Sequence, residues 1–344
     1  MARSIHYAAK NQSAVAAEMM KILLDKGCDP NATSTLGVTP VHMAAENKAT
    51  SGLSILKLLY ENGANLNVAD DGGTTAVHLA AQNPSWWKAD ILRFLLDHGG
   101  NPNAVTNYRH AADLGCRRDE LKLPPVAGKR KRTPVHYAAE NDWPAISKLK
   151  VLNLLLERGG DPNLEDERKR TPVHFAVQNP INGYRIVKVL LRNRGNPNAV
   201  DDQMMTPVHF AAMAAHTHKR VDRMKLLLQY GGDPNAVDSS GRTPVHYAAM
   251  SESNDAPQMI ELLLANKGNP NAVENSRLTP VHCCLIKNPS ARVAEKILEL
   301  LLKHGGDPEA PDNEGKTPID LLAAKGQSAE MQNMWNILKL NQRH

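Results

Sequence analysis

Residues 132–139 read Arg-Thr-Pro-Val-His-Tyr-Ala-Ala, and residues 242–249 repeat that octet unchanged. Near copies stand at 38–45 (VTPVHMAA), 74–81 (TTAVHLAA), 170–177 (RTPVHFAV), 205–212 (MTPVHFAA), 278–285 (LTPVHCCL) and 316–323 (KTPIDLLA), and a shortened form, SIHYAA, spans Ser4 to Ala9. The motif threonines fall at 39, 75, 133, 171, 206, 243, 279 and 317, at intervals of 36, 58, 38, 35, 37, 36 and 38. One period governs the chain, with a single outlier. Repetition on this scale signals a stacked array, in which each unit buries its apolar face against its neighbours.

Each part of the repeat has a physical reading. The Thr caps a first helix, and Pro suits its first turn, where an N–H would be unpaired anyway. The Ala pair lets neighbouring helices approach closely. A Leu-rich segment follows at helical spacing, for example KLLYENGA, NLLLERGG or KLLLQYGG. Gly63, Gly99, Gly159, Gly231 and Gly305 then stand where a helix end calls for positive φ. Arg194 and Lys267 take that place in two copies, each followed by Gly, and those helix ends are expected to shift by one residue. A turn such as DPNAT, NPNAV or DPEAP closes the unit.

The motif, the Leu-rich helix and the turn, recurring in phase, resemble ankyrin repeats, whose signature is T-P-L-H-x-A at a period near 33. The resemblance covers essentially the whole chain in about nine copies. It implies an all-α repeat solenoid of stacked helix-turn-helix units with β-hairpin fingers. The expected repeats run approximately 1–36, 37–72, 73–129, 130–168, 169–203, 204–240, 241–276, 277–314 and 315–344, the last a C-terminal cap. It also implies that the motif histidines hydrogen-bond nearby backbone or the motif Thr, one layer apart. Finger asparagines in this family are targets of asparaginyl hydroxylation, and Asn103, Asn163, Asn235 and Asn271 match that position. Pro precedes each of them, where the family more often has Val.

The variation in period can be located. From Asn31, Asn67, Asn163, Asn198, Asn235, Asn271 or Glu309 to the next motif Thr is always 8 residues, whereas Asn103 to Thr133 is 30. The third finger therefore carries a 22-residue insert, roughly 106–129. The loop between the two helices of each copy is two to five residues longer than the family pattern. Pro84, Pro144, Pro180, Pro257 and Pro289 fall in these loops and are expected to start the second helix. Stacking aligns the loops along one edge, opposite the fingers.

Composition narrows the function. Aromatics are only 4% of residues, so the core is built in thin aliphatic layers. A net charge of +5 falls short of nucleic-acid binding by charge alone. The four cysteines match no zinc pattern, no apolar leader precedes the first repeat, and no run approaches a membrane span. These features point to an intracellular protein, cytoplasmic or nuclear. The motif copies, the shortened first one included, carry eight of the fourteen histidines, and Cys283 and Cys284 replace motif alanines as small apolar side chains. His216 and His218 have no Cys or carboxylate pattern beside them. Phosphate-binding, nucleophile-elbow and zinc-protease motifs are absent, so no enzyme, cofactor or metal is expected.

The remaining candidates concern partners. Trp86, Trp87, Trp143 and Tyr184 fall in the inter-helix loops of three consecutive copies, as binding anchors on one edge or as covers for helix ends. Arg117 and Arg118, then ten residues, then Lys129, Arg130, Lys131 and Arg132 resemble a bipartite nuclear-import signal; the alternative is a solvated loop tip, with Arg132 the ordinary residue before a motif Thr. The expectation is a monomeric protein-binding adaptor or regulator, with a nuclear IκB-like regulator as its specialised form. Two alternatives stand beside it. One is a binder of nucleic acid or acidic surfaces through those cations with Arg168, Lys169 and Arg170; the other is a regulatory subunit of an enzyme complex.

Overall fold

The computed structural model describes residues 2–82, 88–107, 131–140, 145–213, 219–287, 290–324 and 329–341. Contacts divide the chain into two units, Met1–Pro172 and Val173–His344. Among the described residues there are eighteen α-helices and no strand. The first unit holds α1 (Ala2–Lys10), α2 (Ala16–Asp25), α3 (Pro40–Glu46), α4 (Ser51–Glu61), α5 (Ala76–Gln82), α6 (Lys88–Asp97), α7 (Pro134–Glu140) and α8 (Ala145–Glu157). The second holds α9 (Pro172–Gln178, whose first residue belongs to the first unit), α10 (Gly183–Arg192), α11 (Pro207–Met213), α12 (Arg220–Gln229) and α13 (Pro244–Ala249). It continues with α14 (Ala256–Ala265), α15 (Pro280–Lys287), α16 (Ala291–Lys303), α17 (Pro318–Ala324) and α18 (Ala329–Asn341).

Within each unit the helices form two layers. In the first, α1, α3, α5 and α7 pack in series and α2, α4, α6 and α8 pack beside them, each short helix also touching the longer one that follows it. The second unit repeats the scheme, with α11, α13, α15 and α17 in one layer and α10, α12, α14, α16 and α18 in the other. Most motif helices have seven residues, too short to hold together alone in water. Their stability comes from burial: Val41, Ala44 and Ala45 in α3 and Ile55, Leu56 and Leu59 in α4 are all closed off from solvent. The extended Thr39 and Thr243 precede Pro at the first helical position, as the motif requires.

The fingers are tight turns closed by backbone hydrogen bonds. Asp70 N donates to Thr74 O at 2.9 Å, and the same bond recurs from Asp166 to Arg170, Asp201 to Met205, Asp238 to Arg242 and Asp312 to Lys316. The carboxylate reinforces each turn, as Asp70 Oδ1 does by accepting from Gly72 N and Thr74 N. In the third finger Thr106 replaces the Asp, and Thr106 N donates to Arg132 O at 3.0 Å while Lys131 N donates to Thr106 O at 2.8 Å. The finger thus closes at its base around the insert expected there. Its residues 108–130 lie outside the described part of the chain.

Two positions per repeat demand left-handed backbone. At the helix end it is adopted by Gly27, Gly63, Gly99, Gly159, Arg194, Gly231, Lys267 and Gly305. At the finger tip, two residues before the motif Thr, it is adopted by Gly37, Gly73, Lys131, Lys169, Met204, Gly241, Arg277 and Gly315. The shift expected at Arg194 and Lys267 does not occur. Both residues take positive φ themselves, because the next N–H must bond the carbonyl five residues back: Gly195 N to Leu190 O and Gly268 N to Leu263 O, both 2.8 Å, as Gly100 N bonds Leu95 O. Pro257 does sit in the first turn of α14, but Pro180 lies in the turn ahead of α10, which begins at Gly183.

A non-glycine residue in this conformation is strained by about 1–2 kcal/mol, partly offset by the greater entropy that Gly loses on folding. Arg194→Gly and Lys267→Gly are therefore each expected to stabilise the protein by about 0.5–1 kcal/mol. Urea unfolding should show a higher midpoint with an unchanged slope.

Candidate functional site

The motif histidine is the joint between repeats. Thr39 N donates to His42 Nδ1 at 3.1 Å, so Nδ1 is an acceptor and the proton sits on Nε2. Nε2–H then donates across to Thr74 O, the residue just before the next motif Thr, at 2.9 Å. The Thr N–H contact recurs at His78, His136, His209, His246 and His282. The forward bond recurs from His6 to Val38 O, His78 to Arg132 O, His136 to Arg170 O, His174 to Met205 O, His209 to Arg242 O, His246 to Leu278 O and His282 to Lys316 O. In the last copy Asp320 replaces His. Its carboxylate accepts from Thr317 N and Thr317 Oγ1, which keeps the helix cap and dispenses with the forward donor.

Burial governs the protonation of these side chains. It pushes His78, His136 and His246 down to about 4 and also lowers His42, His209 and His282. The carbonyl bonds oppose the shift without cancelling it. Among the described residues no group of three His, Cys, Asp or Glu side chains converges as a metal site. Cys283 and Cys284 are buried, as the packing reading requires.

A second set of bridges runs along the fingers. Asn31 Nδ2 donates to Gly63 O while its Oδ1 accepts from Asn65 N, so one amide clasps the next repeat twice. Asn67, Asn103, Asn198, Asn235 and Asn271 do the same. Of the hydroxylation candidates, Asn103, Asn235 and Asn271 thus have both amide atoms engaged, and the exposed Asn163 holds its own turn through Asp161 Oδ1. An enzyme that reads an extended chain must first open these clasps.

A third set, which the sequence reading missed, ties off helix ends. Asn47 Nδ2 donates to Ala9 O and Asn11 O. Arg220 reaches Ala211 O and Ala212 O, and Arg223 reaches Val177 O, each guanidinium capping terminal carbonyls of a first helix. Arg223 occupies a position where other repeats place Ile, Val or Met, and Gly183 makes room for it: a Cβ there would lie 2.6 Å from its Nη1. A polar residue at an apolar register position beside a small one was the available signal.

The basic cluster is smaller than its sequence suggests. Arg132 is only 4% exposed, and its guanidinium bonds Glu140 at 2.6 Å and lies 3.8 Å from Asp166. Arg170 pairs with Asp166 at 3.1 Å. Both were counted as candidate surface cations, and both instead neutralise carboxylates within their unit. Lys131, Arg168 and Lys169 are exposed, while Arg117, Arg118, Lys129 and Arg130 lie outside the described residues.

Trp86, Trp87 and Trp143 also lie outside the described residues; Tyr184 does not. It stands half-buried in the first turn of α10, with Lys219 Nζ 5.3 Å and Lys188 Nζ 6.0 Å from its ring centre. Ile181, in the turn before it, is 60% exposed, and Met213, at the end of α11, is 45% exposed. Helix α10 carries Arg185, Lys188 and Arg192 with no carboxylate. The arrangement is an aromatic ring flanked by two lysines at the start of a helix without carboxylates.

Stacked helix pairs joined by bridging histidines define a repeat scaffold. A family model described as ankyrin repeats matches in three copies, over residues 5–106, 111–201 and 181–272. The chain belongs to the ankyrin-repeat family, a generic protein-interaction class. No curated protein matches it. No described helix is long and apolar enough to cross a membrane.

The histidines set a pH window. Their folded pKa is depressed below the ordinary 6.5, so protons bind the unfolded chain first as pH falls. Stability is full above about pH 6.5 and is lost toward pH 4, at about 2 kcal/mol by pH 5 for each histidine held near 4. The urea midpoint should fall steeply between pH 6.5 and 5; a flat profile would count against this reading.

Proposed function

We propose that the chain is a non-catalytic protein-binding scaffold whose partner seats on the Ile181–Tyr184–Met213 edge of the second unit and presents an acidic segment with apolar side chains. Family membership supports protein binding as the class of function. The observation that carries the site is Tyr184, fixed at the start of a carboxylate-free helix with Lys188 and Lys219 beside its ring. A half-exposed tyrosine in this setting offers rigid contact area, and the cations favour a partner of opposite charge. Ile181 and Met213 supply apolar surface for the centre of such a contact.

The bridges explain why such a surface holds its shape. Polar side chains at the joints are committed to neighbouring repeats, which leaves exposed edge residues to vary without cost to the stack. The nucleic-acid alternative loses support from Arg132 and Arg170, both ion-paired within the first unit.

The test is purification from native cell extract with the wild-type chain and with the double variant Ile181→Ser, Tyr184→Ala. The variant should lose the principal partner, at a cost of about 2 kcal/mol or more in binding, while its helical content and melting temperature stay near wild type. Equal recovery by both proteins would place the binding surface elsewhere.

A further inference from the structure

In the first unit, the outward side of α4, α6 and α8 carries an exposed ring cluster. Tyr60 stands three residues before the left-handed Gly63. Leu holds that place in the other repeats and is buried as Leu24, Leu96, Leu191, Leu228, Leu264 and Leu302, whereas Tyr60 is 41% exposed. Its ring reaches the next repeat, with ring centres 5.8 Å from Phe94 and 4.6 Å from His98, and those two lie 4.2 Å apart. The charges around the rings fall in two rows across the helices. Toward the helix starts lie Lys57, Arg93 and Lys150, against one carboxylate, Asp90. Toward the helix ends lie Glu61, Asp97 and Glu157, against one cation, Arg158. Asp90 lies 3.8 Å from Arg93 and 4.0 Å from Lys150, and Arg158 bonds Asp97 at 2.6 Å, so each row keeps an excess of its own sign. This order works against the helices. A carboxylate is the last residue of α4, α6 and α8, at the negative end of the macrodipole, and Lys57 precedes Glu61 in the less favourable i, i+4 order. Lys21 and Asp25 repeat that order on α2, whereas α16 has the favourable one, Glu299 before the final Lys303. Lys57 and Glu61 form no ion pair with each other or with any described residue. Helix stability does not account for these rows.

We propose that this face is a self-association surface, on which a second copy of the chain packs the same face about a twofold axis parallel to the stacking direction of these repeats. That operation reverses the helices and keeps the order of the repeats, so the cationic row of each copy lies on the acidic row of the other. The Tyr60 cluster sits between the rows and meets its own counterpart, where aromatic rings make effective anchors. A twofold axis along the helices would set like charges together and is disfavoured. Charge complementarity selects the occupant: any partner must carry the same two rows in the same order, and a second copy does so by identity. With about 1.5 Å of rise per residue and about 8–10 Å between helices, the face spans roughly 16 by 30 Å, or about 500 Å² on each copy. That is less than the roughly 800 Å² of a standard interface, so the pair is weak and forms with rising concentration. This departs from the monomer expected from sequence, and it is independent of the Tyr184 edge, which lies in the other unit.

Sedimentation velocity and equilibrium, from micromolar to near-millimolar protein, test it. The wild-type chain should shift with concentration from 37.7 kDa toward twice that mass. Lys57→Glu with Arg93→Glu makes both rows acidic, and Glu61→Lys with Asp97→Lys makes both basic. All four side chains are exposed, so each double variant should keep wild-type helical content and, alone, stay at 37.7 kDa throughout. An equimolar mixture of the two variants should regain the heavier species, because opposite rows then meet again. Tyr60→Ala should fold and weaken self-association about tenfold or more. A wild-type chain that stays monomeric at every concentration overturns the proposal. So does self-association that persists in either double variant, or a mixture of the two that remains monomeric.

Discussion

One hydrogen bond recurs at the joints between repeats, from histidine Nε2–H to the carbonyl that precedes the next motif Thr. The first helices are too short to persist alone, so each needs a partner surface at a fixed height and angle. Apolar contact supplies attraction without direction. The imidazole adds direction at both ends: Nδ1 holds the start of its own helix, and Nε2 holds the finger base of the neighbour. A neutral ring of one tautomer is required, and burial keeps it neutral. The exchange of His for Asp at 320 follows the same logic, since a carboxylate can accept from Thr317 but has no proton to send forward.

The other polar bridges share that design. The finger asparagine uses both atoms of its amide on the following repeat, and Arg132 reaches the Asp166 of the next finger while its carbonyl receives the His78 bond. Polar groups buried at a joint must be paired to be tolerated, and paired groups fix register in a way that Leu and Ala cannot. Sequence variation collects in the inter-helix loops, at the finger tips, and in the residues between Thr106 and Arg132.

Much of the fold was legible because period, cap, helix and turn all agree in every copy. The eight-residue finger spacing located the insert, and the finger closes around it at Thr106 and Arg132. The misreadings have a common cause. Arg194 and Lys267 were assigned a shifted helix end because sequence shows a missing Gly but not the carbonyl bond that overrides the strain. Arg132 was counted as a surface cation because Glu140 and Asp166, which neutralise it, are distant in sequence or sit on another finger. Arg220 and Arg223 were passed over because a helix-capping guanidinium looks like any charged residue on a helix. The candidate site was less legible than the fold: Tyr184 was singled out by the scarcity of aromatics, but the lysines beside its ring are apparent only in three dimensions.

The joints depend on the protonation state of the bridging histidines, and long-range proton–nitrogen NMR of ¹⁵N-histidine-labelled protein reads that state directly. The eight motif histidines should show a protonated Nε2 and an unprotonated Nδ1, and those at positions 78, 136 and 246 should stay neutral in the folded protein well below pH 6.5. Mixed tautomers at neutral pH, or protonation of these rings near pH 6.5 with the fold intact, would contradict it.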